Sequence, residues 1–335
     1  MVFIRVLVAI TGVIGNFLVI VAFVKNKNAI GQNFRYLNNV VLSLAIAGIL
    51  YSVLGQPFDI LYWYYNLSDI GPSYRDTGRT WIMSVVTFPQ DIFEGAICFH
   101  VALIVCMRCL CLVWPLNFQK WHIRISTISI IGIYILLIFV LLYPTTIALH
   151  MTTDISQEEF MSAYAIAWKV VSVVTIVFPV LLNILFSWIK IFLLRKARNA
   201  ANSGDKTIGI STNGIENVDT VSSSAQSKQR ALEKLIKTVT VATIICYTPE
   251  VIYRSWFIAI VRQKKRTGTT GIVVFFFVAR LSVQIASVIY PLIYATTIPQ
   301  FKEIVATYLR KFAWIKYDKN NTMSRKNADC SNATC

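Results

Sequence analysis

The sequence predicts an all-α membrane protein, a seven-transmembrane helix bundle followed by a cytoplasmic amphipathic eighth helix. Two observations carry this. Of 335 residues, 56% are hydrophobic and only 14% charged, with a mean hydropathy of +0.60. Soluble domains hold roughly 45–50% apolar and about 25% charged residues. This composition cannot build a water-facing surface of ordinary polarity, which excludes a cytosolic enzyme, a disordered chain and a small secreted domain. The second observation is that the apolar residues fall in seven continuous runs, where a β-barrel would alternate over short segments. The 32 Lys and Arg against 16 Asp and Glu give a basic chain, but the charge lies between apolar runs. A nucleic-acid binder carries it on a soluble domain, so no nucleic-acid partner is expected.

Each run approaches or exceeds the roughly 20 residues that a helix needs to cross a hydrocarbon core. Residues 6–24, 37–58, 125–149 and 170–189 contain no charge. The runs 80–113, 238–261 and 271–299 are apolar but hold buried ions: Asp91, Glu94 and Arg108 in the third span, Glu250 and Arg254 in the sixth, Arg280 in the seventh. The first run could be read as a signal peptide, but it ends in Lys-Asn-Lys without a small-residue cleavage site. It leaves almost no outer N-terminal segment, so the start of the chain could be incomplete.

Lys and Arg set the orientation, because cytoplasmic loops hold the excess. One set of connecting segments carries 21 of them and the opposite set 8. The N-terminus is therefore expected outside and the C-terminus inside. The sequon Asn66-Leu67-Ser68 falls in the first outer loop, where glycosylation is possible. The sequons at Asn320 and Asn332 lie on the inner side and are expected to stay unmodified.

The seven-span domain covers residues 1–297. Its third inner loop, about 198–228, is rich in Asn, Ser, Thr and Gly and reads as disordered, with Ser222, Ser223 and Ser224 as plausible phosphorylation sites. Residues 298–313 form the eighth helix: Phe301, Ile304, Val305, Tyr308, Leu309 and Phe312 recur at helical spacing beside Lys302, Arg310 and Lys311. Such a basic amphipathic helix lies on membrane lipid at the inner leaflet. Residues 314–335 read as a disordered tail. Of the seven cysteines, Cys98, Cys106, Cys109, Cys111 and Cys246 lie within spans, and Cys330 and Cys335 in the tail. With none in an outer loop, no disulfide is expected. No histidine completes a metal ligand set around Cys106, Cys109 and Cys111, and His100 reads as an interhelical hydrogen-bonder. No metal or cofactor is expected.

Several residues resemble the motifs of rhodopsin-like (class A) G-protein-coupled receptors. Gly15-Asn16 resembles the Gly-Asn pair of their first span, and Leu44-Ala45-Ile46-Ala47 the LAxAD of the second. Met107-Arg108-Cys109, with Trp114-Pro115-Leu116 after it, is similar to DRY and the inner-loop proline-leucine. Pro144 and Pro179 fit the fourth and fifth spans, Cys246-Tyr247-Thr248-Pro249 resembles CWxP, and Tyr290-Pro291-Leu292-Ile293-Tyr294 resembles NPxxY, with Phe301-Lys302 opening the eighth helix. The matches run in order across nearly the whole chain. The resemblance implies a plasma-membrane receptor for an extracellular small molecule or peptide, ligand unknown, signalling to a heterotrimeric G protein. It further implies that Pro249 and Pro291 hinge spans six and seven, and that Arg108, Tyr247 and Tyr294 serve activation and coupling.

The departures are as informative. Gly48 stands for the LAxAD acid and Tyr290 for the NPxxY asparagine, so the family's sodium site and water network are expected to be absent. Met107 replaces the DRY acid and Gln229 stands where an acid often locks the arginine, so Arg108 is expected to be unlocked. Tyr247 replaces the CWxP tryptophan, Ser187 a tyrosine of span five, and Met83 the cysteine of the outer disulfide.

Ionisable residues within a membrane cost at least about 2.5 kcal/mol each on insertion scales and usually face the bundle interior. Gln90, Glu94 and Arg108 share one face of span three, with Glu94 about 21 Å from Arg108 along the axis. Glu250 and Arg254 share a face at i,i+4, as do Arg280 and Gln284. The candidate ligand-binding set is Gln90, Asp91, Glu94, Glu250, Arg254, Arg280 and Gln284, with Asp91 at its edge, rotated about 100° from Gln90. Two readings stay open: a polar ligand pocket, or ions that pair with one another, Glu250 with Arg254 and Arg280 with Glu94. Amine receptors of the family carry an aspartate at the position of Gln90, and opsins a lysine at that of Gln284. No nucleophile–base pair or phosphate loop suggests an enzyme. The alternatives are a non-coupling seven-span decoy and, with less support because inverted repeats are missing, a transporter.

Overall fold

The computed structural model describes residues 2–25, 35–58, 60, 77–150, 167, 170–171, 173–203, 223–262, 270–297, 301–303, 306–307 and 310. Among these, all regular structure is helical. Helix α1 is Val2–Lys25, and α2 is Arg35–Leu50, continued by a π-helical turn at Tyr51–Gly55. Helix α3 is Thr77–Val113 and α4 is Pro115–His150. A second π-helical turn, Val173–Val177, leads into α5, Phe178–Ser203; α6 is Ser223–Arg262 and α7 is Thr270–Thr297. Each carries a stretch long and apolar enough to cross a membrane, from Phe3–Val24 in α1 to Val274–Thr297 in α7. These stretches fall where hydropathy places them.

Helices α5 and α6 reach into the segment expected to be a disordered loop, ending at Ser203 and beginning at Ser223. The start of α6 is polar but built of Ala, Leu, Glu, Gln and Lys, which favour helix without adding hydropathy. Residues 204–222 lie outside the described residues, as do Asn66, Asn320, Asn332, Cys330 and Cys335. Near the C-terminus the backbone is helical at 301–303, 306–307 and 310. Phe301 is buried while Lys302, Glu303, Thr307 and Arg310 are exposed. The apolar positions Ile304, Val305, Tyr308, Leu309 and Phe312 of the expected eighth helix lie outside the described side chains.

Helix α3 occupies the middle of the bundle, against α2, α4, α5 and α6, and α7 closes the ring onto α1. Its small residues allow this. A side-chain carbon at Gly95 would meet Leu137 of α4 at 2.8 Å and Thr175 of the second π turn at 3.2 Å, so glycine lets both neighbours approach. Ala96, Ile97, Val101 and Val105 of α3 are fully buried. By contrast Ile128 and Phe139 on α4, and Trp188 and Phe192 on α5, are exposed. That distribution is what an apolar solvent around the bundle requires.

The α1–α7 contact is built around Pro291. Proline has no N–H, so the carbonyl four residues earlier, Ser287 O, loses its helical donor. Asn16 Nδ2 supplies one at 2.9 Å, and also donates to Gly12 O at 2.8 Å. A carbon at Gly15 would lie 3.0 Å from the Pro291 ring. The Gly-Asn pair therefore does two jobs: the glycine admits the ring and the asparagine satisfies the carbonyl that the ring frees. Near Pro249, Ser282 Oγ of α7 donates to Cys246 O of α6 at 2.8 Å, fastening the two proline-bearing helices. His100 is the interhelical hydrogen-bonder expected, joined to Ser43 Oγ at 2.7 Å and to Ala96 O. The five cysteines of the spans carry free thiols.

Candidate functional site

Five ionic side chains from α3, α6 and α7 converge inside the bundle, toward the end at which α1 begins. The i,i+4 spacing on α6 brings Arg254 Nε to 2.6 Å from Glu250 Oε1. The same guanidinium reaches across to α3, with Nη2 at 3.2 Å from Asp91 Oδ1 and 3.4 Å from both oxygens of Glu94. From α7, Arg280 Nη1 bridges Glu94 Oε2 and Glu250 Oε1, each at 3.2 Å. Both expected pairs are present; Arg254 also joins α6 to α3, and Arg280 also joins α7 to α6. Asp91, expected at the edge, is a full member: the length of the Arg254 side chain spans the rotation between Asp91 and Glu94.

All three carboxylates are at most 2% exposed. At an effective dielectric of about 20, a pair at this distance gains roughly 5 kcal/mol before desolvation, and stripping water from each ion costs several kcal/mol. The cluster thus gains little net stability from its ion pairs over a well-packed apolar alternative. What it fixes is register: α3, α6 and α7 can meet only where three acids face two guanidiniums.

Gln90 is buried beside the first π turn, its Cα 3.1 Å from where a carbon at Gly55 would lie. Gln284 accepts a hydrogen bond from Arg5 Nε of α1 at 3.1 Å. Arg5, counted in the sequence among the eight cations of the outer connecting segments, is only 4% exposed and acts electrostatically on Glu250. It is the member of the site that sequence reasoning missed. The signal available was an arginine with apolar residues on both sides. Tyr247 lies one turn from Glu250, wholly buried and against Cys98. Tyr290 bonds Thr243 at 3.0 Å, and Tyr294 is buried with Pro291 above it on α7.

At the other end of α3, one expectation is overturned. Arg108 is not unlocked: Nη2 lies 3.6 Å from Glu233 Oε1 of α6. Motif offset placed the missing acid at Gln229; the acid that serves lies one helical turn further along the same helix. Lys190 of α5 is also within electrostatic reach of Glu233 and Arg108.

The place of the LAxAD acid is filled in a definite way. A carbon at Gly48 would stand 2.7–2.9 Å from the Asn16 amide atoms. Gly48→Asp is expected to displace Asn16 from Ser287 O and lower stability by about 1–3 kcal/mol. Thermal unfolding of the purified variant checks this; an unchanged melting temperature would contradict the packing.

The chain matches no protein-family model and no curated protein. The geometry alone therefore carries the functional reading. It comprises two ionic contacts at opposite ends of one helix pair, α3 and α6, the outer one buried and the inner one partly exposed, with a proline in α6 between them.

Proposed function

We propose that the chain is a receptor of the rhodopsin-like class in the plasma membrane, N-terminus outside, passing an extracellular signal to a heterotrimeric G protein. The observation that carries the reading is the two-ended linkage of α3 and α6. The outer contact joins Asp91 and Glu94 to Arg254; the inner one joins Arg108 to Glu233. Pro249 lies between Glu233 and Arg254 on the sequence of α6. A ligand that rearranges the outer contact biases α6 between two positions, and the inner contact is made in only one of them. Parting of α3 and α6 at the inner end opens a cleft for the transducer, with Arg108 at its rim. The expected eighth helix, on anionic lipid, completes the inner surface. The protein performs no catalysis of its own.

Reconstituted in vesicles, the protein is expected to accelerate nucleotide exchange on at least one member of a panel of heterotrimeric G proteins. Glu233→Gln should raise the unliganded rate by up to about fivefold. A partly exposed ion pair contributes no more than about 1 kcal/mol, and its loss also leaves Arg108 and Lys190 to repel one another. Silence across the panel in both proteins would favour the non-coupling reading, for which Gly48 and Met107 speak; ion flux through the same vesicles would favour the transporter.

A further inference from the structure

We propose that the buried ion cluster binds a ligand through an N–H-bearing cationic head group, which seats between Asp91 and Glu250. This rests on the receptor reading and names the ligand chemistry of its site. The cluster's own stoichiometry argues it. Of six carboxylate oxygens, four are held by Arg254 and Arg280: Asp91 Oδ1, both oxygens of Glu94, and Glu250 Oε1. The remaining two, Asp91 Oδ2 and Glu250 Oε2, are buried and have no hydrogen-bond partner. Both belong to carboxylates whose other oxygen grips the same Arg254 guanidinium.

Among the described residues, three carboxylates in direct contact with two guanidiniums leave the cluster one positive charge short. Arg5, the next cation among them, gives its Nε to Gln284 and acts electrostatically on Glu250. An uncompensated buried charge is among the most costly features a fold can hold, and such features persist where function uses them. A second observation points the same way. The Tyr247 hydroxyl, wholly buried, makes no hydrogen bond of ordinary geometry and lies within electrostatic reach of Glu94. The unmatched carboxylate oxygens are acceptors, and this hydroxyl can accept as well as donate. An ammonium, with three N–H donors and one positive charge, is their complement in both charge and hydrogen bonding. A carboxylate or phosphate ligand would instead meet unshielded carboxylate oxygens, and a quaternary ammonium would supply charge without donors.

Thermal unfolding of the purified full chain in detergent tests this, titrating methylammonium, tetramethylammonium, acetate or sodium chloride at matched ionic strength. A probe of two heavy atoms binds at best in the roughly millimolar range, so the titration runs to about 100 mM. The expected result is a saturable rise in melting temperature with methylammonium alone. Asp91→Asn and Glu250→Gln should each move its half-saturation at least about tenfold higher. If either variant does not fold, the wild-type series decides by itself. A methylammonium effect no larger than that of sodium chloride overturns the proposal, which would mean the cluster neutralises itself by a proton; so does saturation by acetate or tetramethylammonium. No G protein takes part. Saturation by methylammonium in a protein silent on every G protein would remove the receptor reading and leave the site, whereas nucleotide exchange without saturation would remove the site alone.

Discussion

Replacing Arg254 by leucine is expected to lower stability by about 3–5 kcal/mol, the cost of leaving buried charges without their partner. Arg254 is the residue through which the cluster holds together. It contacts Glu250 on its own helix and both Asp91 and Glu94 on α3, so its removal leaves three carboxylates to Arg280 alone. The control is Glu250→Gln in the same background. Removing an excess negative charge should recover part of the loss, which a simple cavity left by Arg254 would not permit. Arg254→Lys keeps the charge but not the planar fork that serves three carboxylates, and should fall between. Thermal unfolding in detergent measures all three. If Arg254→Leu lies within about 0.5 kcal/mol of wild type, the cluster is not the element that sets the α3–α6 register.

The second large effect is functional. Arg108→Ala is expected to reduce G-protein nucleotide exchange by about ten- to hundredfold, the range set by losing one or two hydrogen bonds from a charged donor. Arg108 is 3% exposed, five residues before the end of α3, and its partner Glu233 is more than a third exposed. The contact therefore sits at the boundary between bundle and solvent, where the proposed movement of α6 would release the guanidinium. Surface expression and melting temperature, compared with wild type, separate lost coupling from lost protein. Exchange at the wild-type rate in a folded Arg108→Ala protein would contradict its role.

The fold was legible because seven apolar runs long enough to cross a bilayer can satisfy their backbone there only as helices or a closed barrel. Being continuous rather than alternating, these runs admit only helices, and ions within them had to face inward. Periodicity likewise put Glu250 and Arg254 on one face by their i,i+4 spacing, while the Glu94–Arg280 pair, between two helices, was one of two readings left open. What escaped had other causes. Asp91 was placed at the edge because wheel geometry counts Cβ directions and not the reach of an arginine. Arg5 was counted as a loop charge, and only the helix packed against it, with Gln284, gave it an interior partner. Glu233 was overlooked because Gln229 stands at the motif offset, whereas contact depends on which turn of α6 passes Arg108. The start of α6 was read as loop because its residues favour helix without being apolar. In the first three cases the missing information was tertiary: which side chain of a second helix arrives.

The central claim is that the ion cluster and the Arg108–Glu233 contact are two ends of one two-state element. Spin labels at the exposed positions Lys120 on α4 and Lys234 on α6 would report the separation of the inner helix ends directly. In Arg254→Lys, which loosens the outer cluster while keeping its charge, a population with the distance longer by about 5 Å is expected to grow relative to wild type. An unchanged distance distribution in a folded Arg254→Lys protein would contradict the linkage.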